Sequence, residues 1–185
     1  SVMEASVNLD ELRKTLGDQG VEFLFGAYVD MFGVPKSKCV PLAFIDEMAA
    51  GSERYTVGAL EGMGDLGPNE DECCGIPELE STVVLPWDKR FAIAPTDLSF
   101  DGQPYSHDSR YVLKRQLERA AAAGFSAQAG IEPEVYVLRE GDDGEVLPWI
   151  TDDLLNAPTR GYDIEATIAA DQFLLPMVEY MNQLG

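Results

Sequence analysis

Apolar residues recur at helical spacing near the start of the chain. In "NLDELRKTLGDQG", Leu9, Leu12 and Leu16 fall on one face. Asn8 stands where a cap belongs and Glu11 completes a capping box, so the pattern predicts a short helix. "VEFLFGAYVD" (21–30) predicts a strand, "MFGVP" a turn around Gly33 and Pro35, and "KSKCVPL" (36–42) the returning strand of a hairpin. "AFIDEMAAG" predicts a helix closed by Gly51. Residues 55–80 lose all periodicity and gather glycines and acids, which predicts a long functional or mobile loop. "STVVLPW" (81–87) and "RFAIAPTDLSF" (90–100) return to strand character, and "DGQPYSHD" reads as a connection.

The pattern then changes. "SRYVLKRQLERAAAAG" (109–124) predicts a long helix capped by Asp108 and stopped by Gly124, with Val112, Leu113 and Leu117 as its apolar stripe. "GIEPEVYVL" (130–138) predicts a core strand and "EGDDGE" a turn. Residues 145–161 carry little pattern, and 162–185 are helical. Pro176 belongs near a helix start, so this last segment divides close to Asp171. The expected fold class is α+β. The first hundred residues give helix, hairpin, helix, loop and two more strands around one small sheet, with a junction at 101–108 before a second unit.

Composition narrows the function. The 185 residues are 45% hydrophobic and 9% aromatic, enough for a globular core. Thirty-three acidic against thirteen basic residues leave a net charge of −20, which argues against nucleic acid or an anionic membrane as partner. No run approaches the ~18 apolar residues of a membrane helix. The start "SVMEASVNLDEL" has neither the basic head nor the apolar core of a secretory leader. Three cysteines, Cys39, Cys73 and Cys74, do not make a disulfide framework, and a reducing, cytoplasmic setting is expected.

The candidate chemistry lies in "GIEPEVYVL". On a strand, Glu132 and Glu134 point to one face about 7 Å apart, while Ile131, Pro133 and Val135 point to the other. One reading is a solvated face with two ordinary glutamates. The other is a pair of ligands for hard divalent ions such as Mg²⁺ or Mn²⁺, which take oxygen donors. Core-type flanking residues, the room at Gly130 and the missing donor at Pro133 favour the second.

The G-x-E-P-E stretch resembles the first metal-binding strand of the glutamine synthetase family. Four further stretches agree, in order. "YVDMFGVPKSKCVPL" is similar to that family's N-terminal hairpin, and "STVVLPWDKRFAIAPTDL" to the strands that close its small β-grasp domain. "HDSRYVLKRQLERAAAAGF" resembles its D-P-R-x-x-L-K-R segment with Ser109 in place of proline, and "IEATIAADQFLLPMVEYMNQLG" the helical segment before its next catalytic strand. "YTVGALEG" lacks the aspartate and paired serines that the bacterial enzymes use for ammonium. There the sequence looks more like glutamate–amine ligases of the gamma-glutamylmethylamide synthetase type.

The resemblance implies a β-grasp domain at 1–104 and the beginning of a catalytic domain at 105–185. It implies an ATP-dependent ligase of nitrogen metabolism that joins glutamate to ammonia or a small amine, and a ring-type homo-oligomer for the complete enzyme. By matched position, Glu134 would hold the metal beside glutamate and Glu132 the metal beside the ATP phosphates, with Mg²⁺ or Mn²⁺ as the ion. Arg110 would be structural, and His107 a loop or capping residue. The loop at 55–67, with Tyr55, Val57, Leu60, Met63 and Leu66, would face another subunit or fold back on 36–42. The family's later glutamates, histidines and arginines have no counterpart before Gly185. This chain alone is therefore expected to be inactive, as a fragment, one half of a split enzyme, or a non-catalytic binding or regulatory module.

Overall fold

The computed structural model describes residues 7–56, 58, 62, 69, 71–149 and 161–185. Contacts divide the chain into two compact units, one up to Ala127 and one from Gln128.

The first unit opens with α1 (Leu9–Asp18), where the Asn8 side chain accepts the Glu11 amide at 3.1 Å. Leu16, from the predicted face, is buried. The strand β1 (Phe23–Val29) pairs antiparallel with β2 (Pro35–Lys36) and β3 (Cys39–Pro41), so the expected hairpin forms with its return strand in two pieces. Its turn is tied by Asp30, whose carboxylate accepts the amides of Phe32 and Val34, both at 2.9 Å. Those bonds, with Lys36 nearby, hold the Asp30 carboxyl below its ordinary pKa. A 3₁₀ turn (Leu42–Phe44) leads into α2 (Ile45–Ala49), which ends at Gly51 with φ +81°.

The long strand β7 (Phe91–Phe100) organises the sheet. It runs parallel to β1, with Phe23 opposite Phe91 and Ala27 opposite Pro95. Antiparallel partners are β6 (Val83–Val84), β5 (Cys73–Pro77) and β8 (Gln103–Pro104), and β4 (Arg54–Tyr55) pairs with β5. The main path is β2-β1-β7-β5-β4 in a sheet of eight strands among the described residues. The sequence expectation missed β4, β5 and β8. Gly75 and Pro77 make β5 a poor strand by propensity, and its pairing with β7 decides its conformation.

Alternation along β1 and β7 sends Leu24, Ala92 and Ala94 inward against Leu16, Ile45 and Met48 of the helices. Each buried Leu, Ile or Met contributes about 1.5–3 kcal/mol. A second cluster gathers Tyr28, Tyr55, Cys73, Leu98 and Tyr105. Thr96 lies between two glycines. A Cβ on Gly26 would come 3.0 Å from its Oγ1, and a Cβ on Gly75 3.0 Å from its Cγ2. The opposite sheet face carries a ladder of Phe23, Phe91 and Phe25 with centroid spacings of 5.8 and 5.3 Å.

The helix α3 (Ser109–Ala122) closes this unit, with the fully buried Asp108 as its cap and Gly124 at φ +83° beyond its end. Its amphipathicity is turned round relative to expectation. Val112, Leu113 and Leu117 are exposed, Leu113 by 58%, while Arg110 and Lys114 reach the sheet through salt bridges. Ion pairing, not the apolar stripe, fixes which side of α3 meets β7.

The second unit has no buried residue among those described. It contains a hairpin of β9 (Leu138–Glu140) and β10 (Val146–Pro148), then α4 (Ile164–Ala169) and α5 (Asp171–Leu184). The helical segment divides at Ala170, as the proline pattern predicts. Pro176 lies past the first turn of α5, so it forfeits a bond to the Gln172 carbonyl instead of using a free position.

Candidate metal-binding site

Glu132 and Glu134 lie on irregular backbone, not on a strand, which corrects the expectation for 130–138. A strand needs a ladder partner along its length. Among the described residues pairing begins only at Leu138, one position after the Trp149 amide donates to the Val137 carbonyl at 2.9 Å. Pro133 could not donate to any ladder. Among the described residues the paired register ends where Pro148 lies opposite Leu138.

The surroundings of the two carboxylates are open. Both are exposed, as are Ile131, Val135 and Tyr136, the last by 94%. A Cβ on Gly130 would meet nothing within 4 Å, so the glycine leaves space beside the pair. Among the described residues no group of three or more His, Cys, Asp or Glu side chains comes together to hold a metal. Two carboxylates suit a hard divalent ion chemically, but Mg²⁺ and Ca²⁺ take six or more oxygens, and water or other ligands would have to supply the remainder.

The other residues read from sequence are placed more firmly. Arg110 donates through Nε to Asp97 Oδ1 at 2.7 Å and through its second arm to Glu78. Lys114 pairs with the same two carboxylates. The Ser81 hydroxyl and the two cations hold the Glu78 carboxyl below its ordinary pKa. Arg110 is thus structural, as the sequence implies. His107 sits in a turn, its Nδ1 3.2 Å from the Ser106 hydroxyl, in a loop role. Of the loop at 55–67, Tyr55 is buried beneath Tyr28, whereas Val57, Leu60, Met63 and Leu66 lie outside the described residues.

Burial near the start of α3 was not legible beforehand. Asp108 accepts the Leu98 amide at 3.0 Å and the Arg110 amide at 3.1 Å, and desolvation still raises its carboxyl above the ordinary range. Tyr28, 1% exposed, has no hydrogen-bond partner for its hydroxyl among the described residues. Burial and nearby acidic groups push its pKa up, and they push the Cys73 thiol up to about 11. Only the alternation of β1 and β7 hinted at these positions.

Comparison with known proteins bears on the whole chain. The glutamine synthetase catalytic domain matches residues 106–185, a range that includes Glu132 and Glu134. The glutamate–methylamine ligase of Methyloversatilis universalis is 30% identical over 176 residues, 95% of this chain and 39% of that protein. The glutamine synthetase of Rhizobium leguminosarum bv. phaseoli is 29% identical over 168 residues, 91% of this chain and 37% of that one. A solved GmaS–ADP complex shares the fold at a TM-score of 0.71 and 25% identity, with 94% of this chain and 39% of that chain covered. A ligand-free GmaS structure gives a TM-score of 0.74. The chain therefore spans well under half the length of the relatives it matches. With a catalytic-domain match at its C-terminal side and similarity to these ligases along nearly its full length, the chain belongs to the glutamine synthetase family.

Proposed function

We propose that this chain supplies a β-grasp domain (1–104) and the opening of the catalytic domain (105–185) of an ATP-dependent glutamate–amine ligase. The observation that carries this reading is the coincidence of Glu132-x-Glu134 with the matched catalytic segment, inside a chain that resembles ligases throughout. In the proposed reaction the γ-phosphoryl of ATP passes to the side-chain carboxylate of glutamate and ADP leaves. The amine nitrogen then attacks that acyl carbon, phosphate departs, and a γ-glutamyl amide forms. Glu134 would hold the ion beside glutamate and Glu132 the ion beside ATP. A bound Mg²⁺ or Mn²⁺ would neutralise phosphate charge. The exposed segment around Gly130 leaves room for such groups. Ammonia or a small amine such as methylamine is the nucleophile, the complete enzyme is a ring-type homo-oligomer, and its setting is cytoplasmic.

The test is an assay of the gene's own product with ATP, glutamate, Mg²⁺ and either ammonium or methylamine, read by mass spectrometry. A γ-glutamyl amide formed with equal ADP, and lost about a hundredfold in Glu134→Gln, supports the reading. Amide formation that ignores ATP, or is unchanged in Glu132→Gln and Glu134→Gln, overturns it. The lack of a third gathered ligand among the described residues favours one alternative, a binding or regulatory module without catalysis. Saturable ATP binding with no amide under any condition would select that alternative.

A further inference from the structure

Between α3 and the turn from β7 into β8 lies an open groove of ≈ 390 Å³. Small-molecule sites occupy roughly 300–1,000 Å³ and combine an apolar floor with a few polar groups. The apolar floor here is Ile76 and Pro104, because Leu98, only 1% exposed, turns its side chain to the tyrosine cluster on the other face of the sheet. The helix side presents Tyr111, Lys114 and Glu118, spaced so that they share one face of α3.

Charge decides what such a groove would take. Lys114 and Asp97 line it but are already committed, because Arg110 and Lys114 balance Glu78 and Asp97 in one network. Lys114 precedes Glu118 by one turn, yet its ammonium is drawn to the sheet. Glu118 has no ion-pair or hydrogen-bond partner among the described residues. Arg115 is stationed over the Tyr111 ring, 5.7 Å from its centroid, and does not line the groove. The Ser99 hydroxyl is spent on the Gln103 carbonyl at 3.1 Å. One uncompensated carboxylate therefore stands beside an apolar floor, with Tyr111 in the same wall. A bare metal ion needs several oxygen ligands and gains nothing from Ile76 or Pro104. An anion would meet Glu118 and Asp97.

We propose that this groove binds a small organic ammonium ion, its alkyl or aryl body on Ile76 and Pro104 and its charge at Glu118. The inference does not rest on the ligase reading and uses neither Glu132 nor Glu134.

The test is calorimetric titration of the full 185-residue chain with benzylammonium at low salt, beside benzyl alcohol as a neutral probe of the same shape. Amide NMR shifts locate the site. Saturable one-to-one binding is expected, with shifts at Ser99 and Ile76. Glu118→Gln should weaken it by about fivefold, the effect of losing one exposed charge contact. Glu140→Gln, which removes an exposed acid on β9, should change nothing. On a chain of charge −20, counterion attraction would respond equally to both variants, and that result overturns the proposal. So would benzyl alcohol binding as tightly as benzylammonium, or shifts confined to residues outside the groove.

Discussion

Arg110 Nε donates to Asp97 Oδ1 at 2.7 Å, and this bond sets which face of α3 meets β7. The acid side chains are about one-third exposed, so solvent screens the pair. In a double-mutant cycle with Arg110→Ala and Asp97→Asn, read by urea unfolding, the coupling should be about 0.5–1 kcal/mol and should shrink in high salt. A coupling of zero at low salt would leave the orientation of α3 to its packing alone.

The pH dependence of stability should have two limbs of opposite sign. Glu78 has its folded pKa below the ordinary 4.5, so its contribution is present above that value and disappears as pH falls through the lowered one. Asp108 is raised above its ordinary 3.8 by burial, so its contribution is present below that value and disappears as pH rises through the raised one. Glu78→Gln should flatten the acid limb of a plot of urea midpoint against pH. An unaltered acid limb in that variant would exclude Glu78 as its source.

The three thiols should separate in reactivity. Cys39 is exposed, whereas Cys73 is fully buried with its pKa pushed up to about 11, which leaves almost no thiolate near neutral pH. In timed iodoacetamide labelling read by mass spectrometry, Cys39 should be modified first and Cys73 last. Early labelling at Cys73 would mean that β5 opens in the native state.

Two tyrosines in one cluster should respond in opposite ways to loss of the hydroxyl. The Tyr55 hydroxyl donates to the Gly26 carbonyl at 3.3 Å, while that of Tyr28 has no partner among the described residues. Tyr55→Phe should lower stability by about 1 kcal/mol. Tyr28→Phe should leave it unchanged or raise it by a similar amount. Equal losses from both would show that the Tyr28 hydroxyl is satisfied in solution.

Hydrogen exchange should follow burial. Amides of β1 and β7 are paired over a fully buried core, whereas nothing after Asp108 is buried among the described residues. Amides of 164–184 should exchange several-fold faster than those of 91–98 despite their helical bonds. Comparable protection would imply burial of that segment in solution.

What the sequence revealed was local. Asn8, Asp108, Gly51 and Gly124 announce helix ends because caps depend on a residue's own side chain or its tolerance of positive φ. Strand β7 was visible in its alternation. What escaped was set by distant partners. Strand β5 takes its conformation from β7, α3 is turned by Glu78 and Asp97, and 130–137 has no ladder among the described residues. The chemistry of Glu132 and Glu134 was read from residue type and resemblance, since their geometry depends on groups that two carboxylates cannot specify.

The parallel contact of Phe23 with Phe91 also governs how the chain reaches this fold. Its central pair of strands is joined only after roughly 70 intervening residues have been made. Until then Leu24 and Ile45 have no Ala92 or Ala94 to close over them. Loop closure of that length is an entropic toll collected before the core gives anything back. Such contact order belongs with folding in milliseconds to seconds, not microseconds. On a translating ribosome, the N-terminal hairpin would wait, half-formed and apolar on both faces, for β7 to emerge.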